Sequence, residues 1–129
     1  MRLRRVHPHR LGHRDRGLSQ SVQWVLLTPL IVLMMVGIVQ SAVVLHARQA
    51  ASNAAMAGAE AEAWFRAPVG SGAEVARRSA TSAGLREVTV RVQRSGGVAH
   101  VTVTGSADLF LDFGQGRVSR TAVMPLERT

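Results

Sequence analysis

A chain of 129 residues has room for one domain at most, and without a single Cys it has neither disulfide staples nor thiolate chemistry. Its formal net charge of +8 is carried by arginine without any lysine. Six of those arginines, against one Asp, fall in residues 1–17, so the distribution of charge says more than its total.

The first segment, residues 1–17, reads MRLRRVHPHRLGHRDRG. A basic patch of this kind serves either nucleic acid or membrane topology. Here it stands directly before a long apolar run, and Arg beside a membrane span stays on the cytoplasmic side. The leader is therefore expected in the cytoplasm, the rest outside it, with no nucleic-acid partner. His7, His9 and His13 have a spacing that holds a metal at most transiently, and they read as part of a basic tail. Arg4-Arg5 stands at the wrong distance from the apolar run for a twin-arginine signal.

The apolar run itself extends from Val22 to Leu45, with 18 apolar residues in 24. Asp, Glu, Lys and Arg are all missing between Gly17 and Ala47. A hydrocarbon core of about 30 Å takes roughly 20 apolar helical residues to cross. Helix is the conformation that satisfies its own backbone there. A buried core helix would be shorter and would keep a polar stripe. A cleaved secretory signal would have a shorter run and a small-x-small site close behind, whereas this run continues into LHARQA. One membrane-spanning helix over 22–45 is the reading. Inside it, Pro29 removes a donor and predicts a kink near Val25 to Pro29. Gly37 and Ser41 make a small-xxx-small pair that either receives another helix or faces lipid, and Gln40 between them favours a protein partner. Trp24 suits the membrane-water interface.

Nine alanines in Ala47–Ala63 continue the helical pattern, and no further proline appears before Pro68. One helix is expected from about Ser19 to Phe65, roughly 70 Å long, with about half of it beyond the hydrocarbon. Ala67–Gly72 reads as a loop and Ala73–Ala83 as a short helix stopped by Gly84. Val88, Val90 and Val92 alternate with polar residues, as do Val101 and Val103, around a turn at Ser95-Gly96-Gly97. Arg117–Leu126 reads as a third strand. The connection Gly105–Gly116 carries Leu109, Phe110, Leu111 and Phe113. These are expected to pack inward, the alternative being contact with a membrane surface or a partner. The fold class is therefore α+β: a long N-terminal helix with a small three-stranded antiparallel sheet. The division is a leader at 1–17, a long helix at 18–66 and an outer region at 67–129.

The segment from Arg14 to Ala63 resembles the TadE-like family, minor pseudopilins of tight-adherence (Flp) pilus systems. The resemblance is carried by Gly17, Ser21-Val22-Gln23-Trp24, Pro29, Gly37, Arg48-Gln49 and the alanine-rich stretch Ala54–Ala63. It implies a pilin-like fold, a place among the membrane proteins of a pilus or secretion machine, and a prepilin peptidase that cuts between Gly17 and Leu18. Two positions depart from the family pattern. Gln23 stands where the family has a glutamate, and it is one residue further from Gly17. In the family the glutamate pairs with the new N-terminal amine of a neighbouring subunit, an attraction that grows as the dielectric falls. Gln23 can only accept a hydrogen bond from that amine, which favours a minor or accessory subunit over a major one.

The sequence shows no constellation for catalysis and implies no cofactor. His46 and His100 have no acidic or Cys partner at useful spacing, and Asp108 and Asp112 read as solvated loop carboxylates rather than a cation site. Gly114 to Gly116 is a turn, since no helix follows to cradle a phosphate. The competing class is a single-pass, membrane-anchored extracytoplasmic binding module unrelated to pili.

Overall fold

The computed structural model describes residues 15–64 and 66–128, with side chains from Gln20 onward. Most of the basic leader, with His7, His9 and His13, lies outside the described residues, as does Phe65. The elements in chain order are α1 (Asp15–Ala63), α2 (Ser71–Ser82), β1 (Arg86–Ser95), β2 (Val98–Ser106) and β3 (Arg117–Pro125). The class is α+β, a long apolar N-terminal helix with one antiparallel sheet in the order β1-β2-β3. The chain divides into two units after Gly37.

In the first unit the backbone is helical from Asp15, four residues before the expected start at Ser19. Gly17 costs about 1 kcal/mol relative to alanine inside a helix, which weakens it without ending it. The helix passes through Pro29, which offers no N–H to the Val25 carbonyl. The Thr28 hydroxyl donates to the adjacent Trp24 carbonyl at 2.8 Å. The large side chains from Val22 to Met35 are all well exposed within the chain.

In the second unit α1 changes character. Ala47, Ala50, Ala51, Ala54, Ala55, Gly58, Ala59, Glu62 and Ala63 are buried. They form two neighbouring rows at i, i+4 spacing, one stripe of a helix. Against this stripe pack Ala76 and Ala80 of α2, Leu85, and Val101, Val103 and Val118 of the sheet. Small side chains on both sides let backbones approach closely. A Cβ added to Gly58 would come within 2.8 Å of the Gly72 carbonyl oxygen and 2.7 Å of the Ala76 Cβ.

The sheet follows from its alternation. β2 is central, and Ala99, Val101, Val103 and Gly105 face the helices while the residues between them face out. Val92 pairs with Val101, and Val101 with Ala122, so the apolar face continues across all three strands. Gly96 and Gly97 form the two-residue turn of the first hairpin, with φ of +60° and +79°. Those values are the ones a tight turn matching the strand twist needs, and two glycines adopt them without steric cost.

α2 begins at Ser71, two residues before the expected Ala73, and its end matches the expectation. Gly84 takes φ +87°, its N–H donates to the Thr81 carbonyl and that of Leu85 to the Ala80 carbonyl. This pair of bonds closes a helix C-terminus on a left-handed glycine.

Candidate functional site

Among the described residues, α1 exposes an extensive apolar surface between Val22 and Leu45. Trp24, Leu26, Leu30, Leu33, Met34 and Met35 are each more than half exposed. A soluble monomer rarely leaves a contiguous patch of this extent uncovered. This is the one helix among the described residues long and apolar enough to cross a membrane.

The residues singled out in the sequence share this helix rather than a pocket. Gly17 and Leu18 lie in its first turns, and Gln23 is exposed one and a half turns further on. Gly37 and Ser41 are one turn apart. A Cβ at Gly37 would meet nothing within 4 Å among the described residues. Arg48 and Gln49 are on the exposed side of the alanine stripe, where the Gln49 amide donates to the Asn53 side-chain oxygen at 3.2 Å.

The second constellation is a charged junction that sequence reasoning passed over. Glu62 is fully buried at the end of the alanine stripe. Its carboxylate accepts from the N–H groups of Gly70 (3.0 Å) and Gly72 (2.9 Å), the first groups of α2. Arg94 of β1 donates through Nε to Glu62 Oε1 at 2.6 Å. Its Nη2 reaches the carbonyls of Glu62 (3.2 Å), Ala67 (3.1 Å) and Pro68 (3.3 Å). Burial pushes the Glu62 carboxyl up, but the two backbone N–H groups and the Arg94 guanidinium outweigh it and hold the group below its ordinary value. Glu62 thus serves as the anion at the start of α2, whose own cap residue, Gly70, has no side chain to offer. The available signal was position: Glu62 falls on the buried stripe at helical spacing, where a charge needs a partner.

The remaining candidates do not assemble chemistry. Among the described residues no three His, Cys, Asp or Glu side chains come together as a metal site. Asp108 pairs with Arg86 at 2.7 Å, and Asp112 Oδ1 accepts from the Gly114 N–H at 2.7 Å, closing the turn there. The outward sheet face is a set of hydroxyl and polar side chains, in which Thr102 pairs with Thr121 at 2.8 Å and Thr104 with Ser119 at 3.1 Å. It holds a shallow depression lined by Thr89, Arg91, Gln93, Thr102, Thr104 and Ser119.

The observation that decides the reading is where a known family falls on this geometry. The family model for TadE-like protein matches residues 19–60. Over this segment the chain is similar to the TadE-like family. The TadE-like segment contains Gln23, Pro29, Gly37, Ser41, Arg48 and Gln49, and ends just before Glu62. It covers the apolar surface and most of the alanine stripe, and none of the sheet. No curated protein and no solved structure matches the chain.

Proposed function

We propose that this protein is a TadE-like minor pseudopilin, a structural component of a tight-adherence pilus assembly or secretion system. It is held in the cytoplasmic membrane by one helix over 22–45, with the basic leader inside and the sheet outside. The observation that carries this reading is the TadE-like match over residues 19–60, which falls on the exposed apolar helix. Such a helix works by packing, against lipid and against the helices of neighbouring machine proteins, and needs no catalytic group. Gly37 and Ser41 form the face for a second helix. Gly17 and Leu18 flank the bond for a prepilin peptidase, because Gly17 is small and stands just before the apolar run. Gln23 lacks the charge that would pair with a released amine, so the subunit enters filaments sparsely.

The test uses the chain in its own membrane. Photo-crosslinking residues at positions 37 and 41 should capture membrane proteins of a pilus machine, and deleting the gene should reduce pili. Normal piliation without the protein, with cross-links only to unrelated proteins, would favour a membrane-anchored binding module instead. Intact mass in cells with an active peptidase should show Leu18 as the first residue. Gln23→Glu should then raise the amount found in sheared filaments. A reporter fused after Thr129 should be active outside the cytoplasm.

A further inference from the structure

We infer that the loop between β2 and β3, residues 107–116, is a second membrane contact: its tip enters the outer leaflet of the lipid bilayer beside α1. The inference rests on the membrane-spanning reading of α1 and adds a lipid-binding surface to it.

The loop presents apolar side chains outward. Phe110 is 88% exposed, Phe113 81% and Leu111 41%, so the expected inward packing of these residues is not what the structure shows. Two exposed phenylalanines within four residues are costly in water. Their height along α1 is fixed by a specific contact. With its amide oriented to satisfy both groups, Gln40 donates to the Leu111 carbonyl at 2.9 Å and accepts from the Leu111 N–H at 3.2 Å. Gln40 lies five residues inside the apolar run that ends at Leu45, about 8 Å along a helix. Around it Ile38, Val39 and Leu45 are each over 60% exposed. The loop tip therefore shares its level with side chains that lipid covers.

Several backbone groups of the loop are paired. Hydrocarbon tolerates backbone polar groups only when they have partners. Leu111 has both its N–H and its carbonyl on Gln40, and Gln40 in turn has its amide satisfied within the apolar run. Asp112 Oδ1 takes the N–H of Gly114, and the Ala107 N–H donates to the Gly116 carbonyl at 2.7 Å, closing the base. The charges stand at that base: Arg86 and Arg117 flank Ser106 in register at the same sheet end, with Asp108 paired to Arg86. Acidic Glu87, Asp108 and Asp112 offset these two arginines, so the surface selects the apolar interior of a bilayer and not an anionic headgroup.

The absence of Cys allows single spin labels to be placed without background. The full chain would be labelled at Phe110→Cys, with Val39→Cys as a helix reference and Ser95→Cys at the far end of the sheet. One copy per lipid nanodisc would be used, in phosphatidylcholine alone and with added phosphatidylglycerol. Collisions with a water-soluble nickel chelate should be several-fold rarer at 110 than at 95, in both lipids, and collisions with oxygen more frequent. Gln40→Leu should bring 110 back toward the values of 95 while 39 stays protected. A label at 110 as wet as one at 95, with 39 protected, overturns the inference and leaves the anchoring intact. A wet label at 39 overturns both. Protection at 110 seen only with phosphatidylglycerol, or only when two copies share a disc, also overturns it, in favour of headgroup charge or a second copy. Protection at 110 that survives Gln40→Leu overturns the role of the Gln40 contact.

Discussion

Two stretches of α1 have the same backbone and opposite surfaces. From Val22 to Leu45 the side chains are mostly large, aliphatic and exposed. From Ala47 to Ala63 one stripe is almost entirely alanine and glycine, and it is buried. Large flexible side chains suit a fluid neighbour, which adapts to any outline. Small side chains suit a rigid neighbour, because they let a sheet and a second helix come within backbone distance. Side-chain size along one helix therefore reports what surrounds each part, and hydropathy alone does not.

The comparison is sharpest where its rule is broken, at Glu62. Replacing Glu62 with Ala removes one partner of a buried pair and takes the carboxylate from Arg94 Nε and from the N–H groups of Gly70 and Gly72. It should destabilise the outer fold by about 3–5 kcal/mol. Denaturant unfolding of the full chain in detergent micelles measures this, and a loss under 1 kcal/mol would show that water replaces the carboxylate. Gly58→Val comes next, at about 1–3 kcal/mol by overpacking. Its side chain would meet the Gly72 carbonyl and Ala76, so hydrogen exchange at Val101 and Val103 should speed up.

Acid gives a smaller and more selective effect. The Glu62 carboxyl has a lowered folded-state value, so its stabilisation is complete above the unfolded value, about 4.3, and is lost as pH falls through the folded one. In Glu62→Gln that part of the acid dependence should vanish. A variant that keeps the full acid slope would assign it to other carboxylates. The smallest effect on folding belongs to Gly37→Leu. A Cβ there would meet nothing within 4 Å among the described residues, so the stability of the sheet-bearing unit should move by less than about 0.5 kcal/mol. Helix association in the membrane should weaken by on the order of 1 kcal/mol. A change in the reverse sense, with folding disturbed and association untouched, would break the division between the two stretches.

What was legible in the sequence was what local pattern decides. The apolar run, the alternation at Val88–Val92 and Val101–Val103, the Gly96-Gly97 turn and the Gly84 stop all announce themselves within a few residues. The misses share a cause in distant partners. α2 starts early because its capping carboxylate comes from Glu62, eight to ten residues back on another helix. α1 was expected to reach Phe65 and ends at Ala63, where its last carbonyls are taken from afar. Arg94 Nη2 takes that of Glu62, and the Glu127 N–H takes that of Ala63 at 3.0 Å. The Gln40 contact with Leu111 was hidden for the same reason: a Gln in an apolar run announces a need for a partner without naming it.

The bond from Glu127 to Ala63 also orders events in time. Sixty-four residues separate donor from acceptor, and the segment that carries the donor follows the last strand. In a chain made from its N-terminus, the apolar run is available to the membrane long before residue 127 exists. On the membrane-spanning reading proposed above, insertion of the run therefore precedes closure of the sheet-bearing unit. Until β3 and Glu127 arrive, the cover of the alanine stripe lacks Val118 and β2 lacks its partner on one side. Contacts of such long range are slow to form. The closing bond of the second unit thus forms last, after every element it joins has been made.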